Sequence, residues 1–298
     1  MLRESLDALV VQTSPAVSDP VHRVRRYPDR HDAEVAAVFA SALAFGRVEA
    51  FLAVVDAILA QADARGGPAA WVDALDARDA DRLRQLQYRW IRGADLALLA
   101  ATVGQVRRSH GSLGHLFAAG HHPAHPNMGP ALDSFIGVLR ETAVHLSGAS
   151  AYEKLPHGMR HVLPRPSDGS GCKRWNMFLR WMVRRPTHAS DPDLGLWALP
   201  VRKLVIPVDT HVLRVTRMIG LTHRRDGSWR TAVEITSNLA RIDPEDPVRY
   251  DFALAHLGIS GGCKARHIPA VCGPCPLSSC CRFGQPRGRV SRPSGGVA

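Results

Sequence analysis

Apolar residues recur at helical spacing along most of the chain, and the alternation of β-branched residues that marks a half-buried strand is nearly absent. That absence most constrains the outcome: a chain rich in Ala, Leu and Arg at this spacing has helices to pack and almost no sheet to build. The expectation is an all-α fold. At 298 residues, with 45% hydrophobic and 22% charged residues, the chain can bury a full core as one large domain or two modest ones. Between Asp32 and Gln61 two helices should meet near "AFGR", with Gly46 at the turn. Further amphipathic helices are expected over 79–90, 93–109 and 129–147, with the Pro/His-rich "GHHPAHPNMGP" as a loop. Another is expected over 172–185, then one over 210–219 with Asp209 as its N-cap, and two more near 229–241 and 246–258. From Arg282 onward the tail is basic and Gly/Pro-rich, a composition that predicts disorder.

Lys and Arg number 38 against 27 Asp and Glu, a formal net charge of +11, which favours a polyanionic partner such as nucleic acid. The first residues lack the basic segment of a secretory signal, and no apolar run approaches the roughly 20 residues of a membrane span. A cytoplasmic protein with no membrane partner is therefore expected. Five of the six cysteines, Cys263, Cys272, Cys275, Cys280 and Cys281, crowd near the C-terminus. In a reducing compartment such crowding points to a metal site rather than to disulfides. Thiolates hold an iron–sulfur cluster or structural Zn2+, and the spacing alone admits both.

The stretch "SDGSGCKRW" places Gly169, Ser170 and Gly171 just before an apolar helix, with Lys173 and Arg174 on its first turn. A Gly-x-Gly turn between helices exposes backbone N–H groups where the helix dipole favours an anion, and a DNA phosphate suits that position; a tight connection alone would also use two glycines. A lysine at the positive end of the dipole and beside an arginine is disfavoured as a cation, and a lysine with a lowered pKa is a nucleophile; on a solvated face the same placement is tolerated at about 0.3–1 kcal/mol.

The run "GSGCKRWNMFL" resembles the hairpin and second helix of the helix-hairpin-helix DNA glycosylase superfamily, whose bifunctional members carry a catalytic lysine shortly after the glycine turn. Downstream, "IPVDTHVLRVTRMIGL" is similar to the segment holding that superfamily's essential aspartate. The resemblance, nearest to endonuclease III-type enzymes, implies that Lys173 and Asp209 are the catalytic pair. The two lie 36 positions apart, because "RPTHASDPDLGLWALPVRKL" intervenes, and the turn is stretched to "LPRPSDGSG". It implies two lobes: residues 31–186 as a six-helix lobe containing the hairpin, and residues 1–30 with 187–281 as a second lobe ending in a [4Fe–4S] loop. Within "CKARHIPAVCGPCPLSSCC" it selects Cys263, Cys272, Cys275 and Cys281, at spacing C-x8-C-x2-C-x5-C, over Cys280.

The implied partner is double-stranded DNA carrying a damaged base or an abasic site, met by a monomer. Such an enzyme extrudes its target nucleotide and fills the gap. Leu43 and Phe45 are candidates for the plugging side chain, with core packing the alternative for each, and Arg47 is a candidate phosphate contact. Lys264 and Arg266 on the cysteine loop are further candidate backbone contacts. Trp181 and Trp197 are candidate stacking walls for the extruded base, and Asp193 a candidate base-edge reader; packing for the tryptophans and a turn for Asp193 are the plainer readings.

Overall fold

The computed structural model describes residues 1–13, 19–187, 191–259 and 263–284. The chain is all-α. Among the described residues the helices are α1 (Leu2–Gln12), α2 (Val21–Val24), α3 (Arg30–Ala42), α4 (Val48–Asp63), α5 (Pro68–Asp73) and α6 (Ala77–Arg84). A two-stranded hairpin, β1 (Gln87–Tyr88) and β2 (Ile91–Arg92), precedes α7 (Gly93–His110), α8 (Leu113–Gly120), α9 (Gly129–Ser147) and α10 (His157–Val162). Then follow α11 (Lys173–Val183), α12 (Thr210–Met218), α13 (Trp229–Ala240), α14 (Asp251–Ile259) and α15 (Pro269–Cys272). Among the described residues no helix is long and apolar enough to cross a membrane.

Helix α3 is the centre of the packing. Its residues 33–42 are all buried, the signature of a helix apolar on every side and surrounded by others. It packs against α2, α4, α5 and α11. Each fully buried Val or Phe here contributes about 1.5–3 kcal/mol. Two polar side chains lie in that stretch: Ser41 donates to the Val38 carbonyl at 3.2 Å, and the Glu34 carboxylate accepts the Leu113 N–H at the start of α8 (3.1 Å) and the Trp197 indole N–H (2.8 Å). Helix α1 lies on α14, with the Tyr250 hydroxyl donating to Asp7 at 2.9 Å, so the first residues side with the C-terminal helices.

Two sequence expectations are corrected. The helix over 79–90 ends at Arg84, because the chain turns into the β1–β2 hairpin, whose two-residue loop Arg89–Trp90 holds Arg89 at φ +52°. Helix α14 starts at Asp251 rather than at 246, after the turn carrying Pro244 and Pro247. Helices α5, α8 and α10, of six, eight and six residues, are too short to show a period in sequence. The tail expected to be disordered lies, from residue 285 onward, outside the described residues.

Candidate active site and cysteine pocket

The Gly-x-Gly turn links α10 to α11 and is held by a neighbour from far along the chain. Ser170 forms an antiparallel bridge with Ser228, and the Trp229 N–H donates to the Gly169 carbonyl at 3.0 Å. Gly169 sits at φ +79°, a left-handed conformation that glycine adopts at low cost. Gly171 is required for a different reason: a Cβ there would lie 2.1 Å from the Gly227 carbonyl oxygen. The Ser170 hydroxyl accepts the Cys172 N–H at 3.2 Å, and Cys172, itself left-handed at φ +45°, launches α11 at Lys173.

Lys173 is half-buried, and its Nζ donates to the Ala44 carbonyl at 3.4 Å. Burial pulls the Lys173 pKa below the usual lysine range; the carboxylates of Asp209 and Asp251 oppose that shift and the Arg174 guanidinium adds to it. Asp209 is thus the strongest attractive charge on the amine, although the two are 36 positions apart in sequence. Asp209 also caps α12: its Oδ1 accepts the N–H groups of His211 and Val212, both at 2.8 Å. Among the described residues its Oδ2 has no hydrogen-bond partner, so capping uses one oxygen and leaves the other.

The turn between α3 and α4 lies against this amine. Arg174 donates from Nη1 to the Ala42 carbonyl at 2.8 Å and from Nη2 to the His161 carbonyl, and stands over the Phe45 ring at 5.3 Å. Burial lowers its pKa to about 10. The expectation of a phosphate contact is corrected for Arg174, whose guanidinium straps the α3–α4 turn to α10. Leu43 is fully buried and cannot plug a duplex; it caps α3 from within the core. Phe45 is only partly buried and stacks on Trp90 at 5.1 Å, with Tyr88 and His161 each 4.9 Å away. Arg47 is exposed at the start of α4.

Trp90, 39% exposed at the hairpin tip with the Arg89 guanidinium 4.6 Å above its ring, is the residue sequence reading missed. The short dipeptide "RW" between Tyr88 and Ile91 was its one signal, and helical spacing hid it.

The candidate base pocket is also corrected. Trp197 packs between Phe117 (5.5 Å) and Phe178 (5.4 Å), its indole N–H spent on Glu34, and Trp181 is fully buried. Neither face is open to a base. Asp193 is buried, with Oδ1 on Arg180 Nε (2.9 Å) and Oδ2 on Arg184 Nη1 (2.8 Å), so its acceptors are consumed. The segment carrying these residues folds back on α11: the N–H groups of Leu194 and Gly195 bond to the Trp181 carbonyl, and that of Trp197 to the Met182 carbonyl at 2.7 Å. It satisfies carbonyls that the end of a helix leaves unpaired.

Four cysteines, Cys263, Cys272, Cys275 and Cys281, line one small cavity, with Met218, Leu257, Val271 and Phe283 as apolar walls. Cys280 is not in that lining; its Sγ contacts the Leu277 carbonyl at 3.3 Å. The Ile268 N–H points at Cys272 Sγ and the Phe283 N–H at Cys281 Sγ, each at 3.4 Å, which is how backbone donors stabilise thiolate ligands. Among the described residues no three His, Cys, Asp or Glu side chains converge closely enough to hold a single ion. Lys264 and Arg266 are exposed on the rim of the same cavity. A donor set of four thiols around an apolar-walled space fits a multinuclear iron–sulfur group in its chemistry.

Fold and site thus define an all-α protein with a half-buried lysine at a helix start, a capping aspartate within its electrostatic reach, and a separate four-thiol cavity. The chain belongs to the family described as protein of unknown function (DUF2400), whose model matches residues 19–260. The matched region holds Lys173 and Asp209 and stops short of Cys263. No curated protein matches the chain, and no solved structure does.

Proposed function

We propose that the protein is a DNA repair glycosylase of the helix-hairpin-helix type that removes a damaged base by attack at C1′ and then cuts the strand through lyase chemistry. The observation that carries this reading is a half-buried, pKa-lowered Lys173 directly after a glycine hairpin, with Asp209 the strongest attractive charge on its amine. The lone pair of the Lys173 amine forms a bond to C1′ while the N-glycosidic bond breaks and the base departs with its electrons and a proton. Positive charge on the sugar is offset by the Asp209 carboxylate, whose Oδ2 is uncommitted. Ring opening leaves a Schiff base, from which loss of the 2′ proton expels the 3′ phosphate.

The net charge of +11, exposed Arg47, Lys264 and Arg266, and the exposed ring of Trp90 support a duplex DNA partner carrying a lesion or abasic site. The Gly169 N–H is spent on the Pro166 carbonyl at 2.9 Å, so within the turn Ser170 and Gly171 would present backbone N–H groups to a phosphate. Cys263, Cys272, Cys275 and Cys281 would hold a [4Fe–4S] cluster, which when bound supplies a structural anchor for the loop carrying Lys264 and Arg266; Zn2+ is the alternative. The two-lobed arrangement belongs to the same proposal.

Borohydride reduction during incubation with abasic-site DNA tests it: a covalent protein–DNA adduct is expected, and Lys173→Gln should abolish it. Base release without an adduct would assign the attack to water. Absence of both across a lesion panel would leave only non-catalytic DNA binding.

A further inference from the structure

The Pro/His-rich loop after α8 carries basic groups that the proposed chemistry does not use. His122, Pro123, Ala124 and His125 close a β-turn in which the His125 N–H donates to the His122 carbonyl at 3.0 Å, with proline at the position whose φ it already satisfies. Inside the turn the backbone also uses the rings. The Ala124 N–H donates to His122 Nδ1 at 3.1 Å, and the His122 N–H donates to His125 Nδ1 at 3.2 Å. An imidazole that accepts at Nδ1 carries its proton at Nε2 when neutral. The turn therefore sets both rings as Nε2 donors and uses up their acceptors. Lys203, at the end of the short turn Val201–Lys203, donates to the Pro123 carbonyl between them, which takes one of its three ammonium hydrogens.

Four basic side chains are crowded here: the His125 ring centre lies 5.7 Å from that of His122 and 6.4 Å from that of His121, and Lys203 closes the group. Among the described residues none of the four forms an ion pair with a carboxylate. Burial, and then the charges of Lys203, His125 and His122, pull the His121 pKa below the usual histidine range, as expected where nothing offsets the crowding. The three imidazoles do not converge on a metal ion. Donors without acceptors, beside an ammonium with no counter-charge, match an oxyanion. His122 is exposed and His125 and Lys203 are half-buried, so such a ligand can reach them. We propose that His122, His125 and Lys203 form a binding site for a phosphate group. A line of direct contacts joins this site to the glycine turn. The Lys203 carbonyl accepts the Met128 N–H at 2.9 Å, a Cβ on the next residue, Gly129, would meet Trp229 Cζ2 at 2.6 Å, and the Trp229 N–H holds the Gly169 carbonyl. That the phosphate belongs to a DNA backbone rests on the glycosylase reading; the site itself does not.

Histidine ring resonances of the full-length protein, assigned through single variants, test the site as inorganic phosphate replaces chloride at constant ionic strength. Those of His122 and His125 should shift saturably, while those of the exposed His110 and His145 stay still. Lys203→Gln removes the charge. His125→Asn keeps an acceptor near the Nδ1 position, so the turn persists, but lacks the Nε2 donor. Each variant should raise the phosphate concentration at half-saturation of the His122 shift by roughly 10-fold, and if one does not fold the other serves. No saturable shift in wild type, or an unchanged half-saturation in a folded variant, overturns the proposal. Fluorescence anisotropy of a DNA duplex against salt then separates the two sources of phosphate. A DNA phosphate requires that Lys203→Gln lower the salt slope by about one; an unchanged slope, with the phosphate shifts retained, assigns the site to free phosphate. Borohydride trapping of wild type on abasic DNA, run in parallel, tests the glycosylase reading alone.

Discussion

The Ala44 carbonyl accepts a hydrogen bond from Lys173 Nζ at 3.4 Å, so the amine at the start of α11 rests on the turn that carries Phe45. Phe45 in turn stacks on Trp90, which places an exposed indole two contacts from the lysine. Trp90→Ala should therefore weaken binding to lesion-containing DNA by about 1–3 kcal/mol, the worth of one aromatic–base stack. Fluorescence anisotropy at fixed salt measures the loss, and an unchanged melting temperature shows that the fold is intact.

Asp209 does two jobs that substitution can separate. Asn caps a helix as well as Asp, so Asp209→Asn should melt within about 0.5 kcal/mol of wild type, yet its single-turnover excision should fall by roughly 100-fold or more. Asp209→Ala should lose the cap as well, at about 1 kcal/mol.

The two hairpin glycines should respond unequally. Gly169 has φ +79° with no atom within 4 Å of an added Cβ, and Gly169→Ala should cost about 1 kcal/mol. Gly171→Ala drives a methyl into the Gly227 carbonyl and should cost about 3 kcal/mol. Urea denaturation of both variants checks the order.

Cys280 stands outside the cavity lined by the other four C-terminal thiols. Cys280→Ser should keep the brown absorption expected near 400 nm for a [4Fe–4S] protein, and Cys275→Ser should lose it. Iron and zinc analysis of the same preparations assigns the metal.

Burial raises the Asp251 pKa from 3.8 to about 6, so the folded state holds its proton more tightly than the unfolded chain. The sign follows: this contribution is fully present below about pH 4 and is lost as pH rises through about 6. Relative to wild type, Asp251→Asn should therefore gain stability between those limits. Paired urea melts at pH 4.5 and 6.5 measure the difference.

Much of this arrangement was legible in the linear chain, and the exceptions share a cause. Asp209 was readable as a cap because capping is local: an acid followed at once by an apolar helical period. Leu43 and Phe45, two residues apart, could not be ranked, since what covers this turn, including Arg174 over the Phe45 ring, comes from elements far along the chain. Trp197 read as an inserted-loop residue free to shape a pocket. Its partner Glu34 lies 163 positions away, and nothing near either residue announces the bond. The hairpin at 87–92 was lost because two-residue strands leave no alternation to detect.

The bridge from Ser170 to Ser228 walls off one flank of the glycine turn with rigid main chain. Main chain from the start of α13 thus occupies one flank of the glycine turn, so a change at residues 227–229 would be felt at once where α11 is launched.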